Sequence, residues 1–133
     1  MEKTFRFTCR GHPSIKATHL TTIEISQDLD ITPRGDCIIG VGAVFEPKKL
    51  QDFLNGSTDL EISLSCGPFN EVIKAQYNPS FQADREIVIR RGPFLSDRTL
   101  ATGADRACID LSRDFVEMIK NPQVAIKVDL KRI

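Results

Sequence analysis

The sequence predicts a mainly β fold: two packed sheets built from two β-β-β-α-β repeats, with two helices, in one domain spanning residues 1–133. Three observations predict it. Each half carries runs in which polar and apolar residues alternate, each carries one short amphipathic stretch at helical spacing, and landmarks of the first half recur in order in the second. "RGHPSIKA" at 10–17 is answered by "QYNPSFQA" at 76–83, and "TIEI" at 22–25 by "EIVI" at 86–89. "GDCIIGVGA" at 35–43 is answered by "SDRTLATGA" at 96–104, and "LEISL" at 60–64 by "VAIKV" at 124–128. The offset drifts as small loop insertions would make it drift, giving an internal repeat of about 4–66 and 70–131.

The elements follow in order. Phe5, Phe7 and Cys9 alternate with polar residues, as Ile73, Ala75 and Tyr77 do in the second half, which predicts half-buried strands. A Pro-Ser turn comes next, then a second strand near 16–26 or 82–91, rich in Ile, Thr and Val. The third strand, "CIIGV" or "RTLAT", leads through Gly42 or Gly103 toward a helix. Pro47 suits the first position of the first helix, Leu50, Phe53 and Leu54 form its buried stripe, and Asn55-Gly56 stop it. Ala104, Cys108, Leu111, Phe115, Met118 and Ile119 predict a longer second helix, opened by a capping-box-like Thr102 and Asp105 and ended by Asn121-Pro122. A closing strand follows each helix, and the helices are expected to cover sheet edges or ends.

Composition narrows the function classes. Lys plus Arg equals Asp plus Glu at 18 each, so the chain lacks the net positive charge that favours nonspecific nucleic-acid or membrane binding. No apolar run approaches the ~20 residues of a membrane span, and the start "MEKTFRFTCRG" alternates where a signal peptide needs a continuous apolar stretch. A cytoplasmic protein without membrane contact is the reading. Cys9, Cys37, Cys66 and Cys108 form no C-x-x-C and read as reduced thiols in the core.

Both histidines lie in "RGHPSIKATHLTT" at 10–22. Gly11 permits positive φ and Pro13 forces His12 to be extended, so its ring projects from a turn. Asn78 at the matching place shows that any polar turn-former would serve the backbone, but only His offers a titratable nitrogen or a strong metal ligand. His19, if its strand is regular, shares a face with Ile23 and Ile25 and reads first as a hydrogen-bonded core residue, second as a pocket residue. A divalent metal would need a third ligand beside His12 and His19, for which Cys37 or Asp36 is available. Asp36, matched by Asp97, reads first as a turn residue.

No G-x-S-x-G, H-E-x-x-H or P-loop is present, and "GVGA" and "ATGAD" are too short for phosphate motifs. Arg85, Arg90, Arg91, Arg98 and Arg106 concentrate positive charge in the second half but are interleaved with acids. One Tyr and no Trp make a single-strand stacking platform improbable.

"F-x-C-R-G-H-P-x-I-K-A-T-H-x-T-T-I-E-I", "T-P-R-G-D-C-I-I-G-V" and "R-T-L-A-T-G-A-D-R-A-C-x-D-L-S-R-D" resemble the archaeal family catalogued as domain of unknown function 371, over essentially the whole chain. The resemblance implies a mainly β, jelly-roll-like sandwich in an archaeal cytoplasm, and brings no catalytic residues. In such proteins an A-D-K-A-like segment often opens both helices; here the first half reads "AVFEPKK" and only the second keeps "ADRA".

The functional expectation is binding of a small polar ligand or a protein partner at the end formed by the GHP turn, the A-T-H-L-T-T segment and R-G-D-C. His12 is the donor or ligand, His19 a second ligand or the orienting group, Thr18 a hydroxyl donor, and Arg34, with Asp36 nearby, the anion contact. The alternatives are a metal-dependent hydrolase using His12, His19 and Cys37 or Asp36, and RNA binding through the arginine-rich second half. Open strand edges would make a homodimer unsurprising.

Overall fold

The computed structural model describes residues 3–32 and 34–133. The elements are β1 (Thr4–Arg10), β2 (Thr22–Ser26), β3 (Ile38–Val44), α1 (Pro47–Leu54), β4 (Asp59–Cys66), β5 (Phe69–Tyr77), β6 (Glu86–Arg90), β7 (Thr99–Thr102), a single 3-10 turn (Cys108–Asp110), α2 (Arg113–Ile119) and β8 (Ala125–Arg132). The fold is mainly β with two helices, as the alternating runs predict.

The strands hydrogen-bond in one closed ring, β1-β3-β2-β6-β7-β5-β4-β8 and back to β1, where two separate packed sheets were expected. The long ladders of β8 with β1 and with β4 close one side, and the two pairs Gln76 with Thr102 and Tyr77 with Ala101 close the other. A closed ring has no edge strand, so the edge-based argument for a homodimer lapses.

Exchanging β1–β4 for β5–β8 returns the same ring of neighbours, with parallel pairs only at β2–β3 and β6–β7. The loops correspond as well. Ile15 N–H donates to His12 O at 3.1 Å and Phe81 N–H to Asn78 O at 3.0 Å; Glu24 N–H donates to Cys37 O at 2.8 Å and Val88 N–H to Arg98 O at 3.1 Å. Gly42 and Gly103 both adopt positive φ, which glycine tolerates without a Cβ clash, and donate to Asp28 O and Gly92 O. In the β2–β6 ladder Glu24 faces Val88, its own counterpart, so this pair marks the centre of the correspondence.

Leu50 and Leu54 of α1 and Phe115 and Ile119 of α2 join Ile23, Ile25, Ile39, Ile62 and Phe81 in the core. Pro47, Asn55 and Gly56 bound α1 as predicted. The second helix is much shorter than its apolar spacing suggests. Asp105 and Arg106 are drawn into bonds with β5, Leu111 is extended, and the Ser112 side chain caps Phe115 N–H, so α2 starts only at Arg113. The second strand is also shorter, because Ala17 sits at φ 49° and the N–H groups of Thr18 and His19 both go to Asp36 O.

Candidate functional site

The GHP turn is fastened to the end of α2: His12 N–H donates to Ile119 O at 2.9 Å and Gly11 N–H to Val124 O at 3.3 Å. A Cβ on Gly11 would lie 2.3 Å from Ile119 O and 2.4 Å from Asn121 O. Close backbone approach, and not the positive φ expected from the sequence, is what requires glycine there. This docking brings Lys120 to the turn and opens a cleft of about 380 Å³ between Pro13–Lys16 and the loop of Ile31, Thr32 and Gly35. Lys16 and Lys120 are its charged lining residues, with the hydroxyl-bearing Ser14 and Thr32 beside them.

His12 adjoins the cleft through Pro13. Its Nδ1 accepts the Ser14 N–H at 3.0 Å, as Asn78 Oδ1 accepts the Ser80 N–H at 3.0 Å. His19 lies outside β2, partly exposed, and not on the strand's apolar face; its Nδ1 accepts the Thr21 N–H at 3.1 Å. Metal ligation through Nε2 would require a proton on Nδ1 and so oppose the bond that each Nδ1 accepts. Among the described residues no three His, Cys, Asp or Glu side chains gather to hold a metal.

Thr18 is exposed, and Thr18 and His19 are tied to Asp36 O at 3.1 and 3.3 Å. Asp97 O accepts the Gln82 N–H in the same way, so Asp36 shares its backbone role with its counterpart. Arg34 is exposed in the loop beside Gly35, and its carbonyl accepts the Asp36 N–H at 2.9 Å. Neither His12 nor Arg34 is among the lining residues of the cleft; each adjoins one in sequence, Pro13 and Gly35, while Thr18 and His19 are bonded to the same loop through Asp36 O.

Cys37 turns elsewhere, to a cluster that the reading of motifs missed. Its Sγ lies 3.8 Å from Glu24 Oε1 as donor, and Arg98 lies 4.0 Å from the same oxygen and 3.0 Å from Glu86 Oε1. Burial, then the neighbouring Glu86, raises the Glu24 carboxyl to about 7, against the opposing pull of Arg98 and Cys37. Burial, then the charges of Glu24 and Asp36, pushes the Cys37 thiol to about 11. A carboxylate between two isoleucines, answered by Val88, was the signal available in the sequence.

The second-half motif "ATGADRACIDLSRD" is a fastening. Asp105 exchanges bonds with the Lys74 backbone, Arg106 pairs with Glu71 at 3.0 Å and reaches Val72 O and Asp110 O, and Ser112 N–H donates to Glu71. The Arg113 guanidinium reaches Ala17 O, Cys108 O and Leu111 O, pinning the loop before His19. Arg85 pairs with Asp28, Arg91 with Asp110 and Arg98 with Glu86, while Arg90 lies 4.9 Å over the Phe94 ring. Arg85, Arg91 and Arg98 each have a carboxylate within ion-pair distance, so the positive charge of this stretch is offset locally, in pairs as exposed as that of Lys120 with Glu117.

A family model described as a domain of unknown function (DUF371) matches residues 7–132. A protein of Methanocaldococcus jannaschii, named Uncharacterized protein MJ0206, is 27% identical over 125 residues, covering 87% of this chain and 90% of its own length. No helix among the described residues is long and apolar enough to cross a membrane.

Proposed function

This chain belongs to the family of the domain of unknown function DUF371, and on that premise we propose that it binds a small anionic ligand in the cleft between the GHP turn and the 31–35 loop. The observation that carries the reading is the lining: two lysines and two hydroxyl-bearing residues around about 380 Å³, with no carboxylate among the described lining residues. Lys120 keeps an exposed ion pair with Glu117 at 3.2 Å, and water screening makes such a pair cheap to exchange for a ligand oxygen. His12 and Arg34, next in sequence to the lining residues Pro13 and Gly35, are the further donors this reading would recruit. The concave shape favours a small molecule over a protein partner.

The duplicated unit, about 4–66 and 70–131 within a single domain, is part of the same proposal and is supported by the invariant strand order. The free thiols Cys9, Cys37, Cys66 and Cys108 support a reducing, cytoplasmic setting.

The test is calorimetric titration with inorganic phosphate, pyrophosphate and citrate. Binding that Lys16→Gln and Lys120→Gln each weaken about tenfold, the worth of one charge-assisted hydrogen bond, is the expected result. No binding of any of the three, or binding indifferent to both substitutions, would overturn it.

A further inference from the structure

We propose that Arg113, contributed by the second half, is a positioning residue for the cleft: its guanidinium holds Ala17 in a left-handed turn, and that turn sets where Lys16 stands. The inference rests on the anion cleft for what Lys16 does, and on the turn itself for how Lys16 is placed.

Ala17 is the only non-glycine residue with positive φ among the described residues, at 49°. An L-residue avoids that conformation because its Cβ crowds the carbonyl oxygen that follows, and glycine is the usual solution. Here the methyl group is wholly buried in the core, which accounts for alanine and leaves the backbone strained. Its counterpart Ala83 does not share the strain. Residues 84–85 are enough to join Ala83 to β6, whereas the longer run 18–21 joins Ala17 to β2. That longer connection folds back at Ala17, where the N–H groups of Thr18 and His19 both reach Asp36 O, at 3.1 and 3.3 Å.

Arg113 takes the carbonyl of the strained residue. Its Nη1 donates to Ala17 O at 3.1 Å, while Nη2 donates to Cys108 O at 2.8 Å and to Leu111 O at 2.9 Å. One planar fork thus ties the left-handed turn to the 3-10 turn and to the start of α2. Lys16 stands exposed between Ile15 and Ala17, both buried, so its direction follows those two anchors. At the other end of α2 the GHP turn docks and Lys120 follows directly. Both lysines of the cleft are therefore placed relative to the same short helix, one through each end. A lysine at position 113 would keep the charge, but a single ammonium cannot span Ala17 O and the carbonyls of Cys108 and Leu111 as the fork does.

Calorimetric titration with inorganic phosphate, together with hydrogen exchange, tests this. In Arg113→Lys the phosphate affinity should fall about five- to tenfold, approaching the loss assigned to Lys16→Gln. Because Arg113 acts through Lys16, adding Arg113→Lys to Lys16→Gln should weaken binding by less than about twofold more, and full additivity overturns the positioning role. Ala17→Gly makes the left-handed turn free of strain, so it should return Arg113→Lys to within about threefold of native affinity, and no recovery also overturns the role. Exchange at the Thr18 and His19 amides should rise about tenfold in Arg113→Lys, fall back when Ala17→Gly is added, and stay unchanged along the β4–β5 ladder. No rise, or a rise spread over the whole barrel, overturns the brace. Should Arg113→Lys alone not fold, the double variant with Ala17→Gly decides by the same affinity, and its own failure to fold would make Arg113 a fold-wide fastener and overturn the positioning role. Phosphate failing to bind the native chain overturns the anion reading alone, since exchange at these two amides still decides the brace.

Discussion

Replacing Gly11 with Ala tests the fastening on which the cleft depends. The new Cβ would sit 2.3 and 2.4 Å from the carbonyl oxygens of Ile119 and Asn121, inside the 3.0 Å that Cβ atoms keep. The turn must then back away from α2 by close to ~1 Å, since nonbonded atoms settle at roughly 3.5 Å. That displacement breaks the bonds from His12 N–H to Ile119 O and from Gly11 N–H to Val124 O, each worth about 1 kcal/mol. Overpacking adds about 1–3 kcal/mol, for a loss of roughly 3–5 kcal/mol. Urea unfolding at pH 7 measures it, and a loss under about 1 kcal/mol would refute the tight approach. Gly11→Asn separates the two explanations of this glycine: Asn tolerates a left-handed turn but carries the same Cβ, so it should be as damaging as Ala. Were Asn tolerated, turn conformation would be the reason for the glycine.

Three further outcomes follow from the geometry. His12→Asn should leave stability within about 0.5 kcal/mol, because Asn78 shows the same side-chain bond to the residue two positions on, whereas His12→Ala should lose about 1 kcal/mol in the same assay. Glu24→Gln should gain about 2 kcal/mol relative to the native chain between pH 5 and pH 8; the raised carboxyl favours the fold at low pH and that advantage disappears through neutrality, so a pH-independent difference in urea midpoints contradicts the assignment. Arg106→Ala should cost about 2–4 kcal/mol by stranding the buried Glu71, and adding Glu71→Gln should recover part of the loss; strict additivity would show that the pair is not coupled.

Periodicity made most of the fold legible, and tertiary bonds account for what it missed. Alternation located β1 and β5 because each buries one face, visible in Phe7 and Cys9 or in Ile73 and Ala75, while β4 and β8 were placed as the strands that close each repeat. It failed at β2, where all five residues are buried and parity no longer separates faces, so His19 was drawn into a strand that begins at Thr22. It failed again at residues 104–112, whose helical spacing is real but whose Asp105 and Arg106 gain more from β5 than from continuing a helix. The candidate site was half legible. The turn and the loop were marked by Gly, Pro and His, while Lys16 and Lys120 lie 104 positions apart and line one cleft because the GHP turn docks on the end of α2.

On the duplicated reading, the informative positions are those where equivalent backbone carries unlike side chains. His12 and Asn78 make the same bond, so the ring's remaining nitrogen is the addition. Glu24 and Val88 face each other at the centre of the β2–β6 ladder, and Cys37 and Arg98 accept equivalent N–H bonds from them. At each place backbone bonding is satisfied in both halves, so stability alone does not demand the difference. A valine at position 24 would bury with less desolvation than a carboxylate, which makes the retained acid a cost the fold carries. Both of these replacements, His12 for Asn78 and Glu24 for Val88, fall in the first half. The second half spends its charged residues on fastening, through Arg106 to Glu71 and Arg113 to the carbonyls around it. On the proposed reading, a ligand-binding specialisation of one half, braced by the other, would account for this asymmetry.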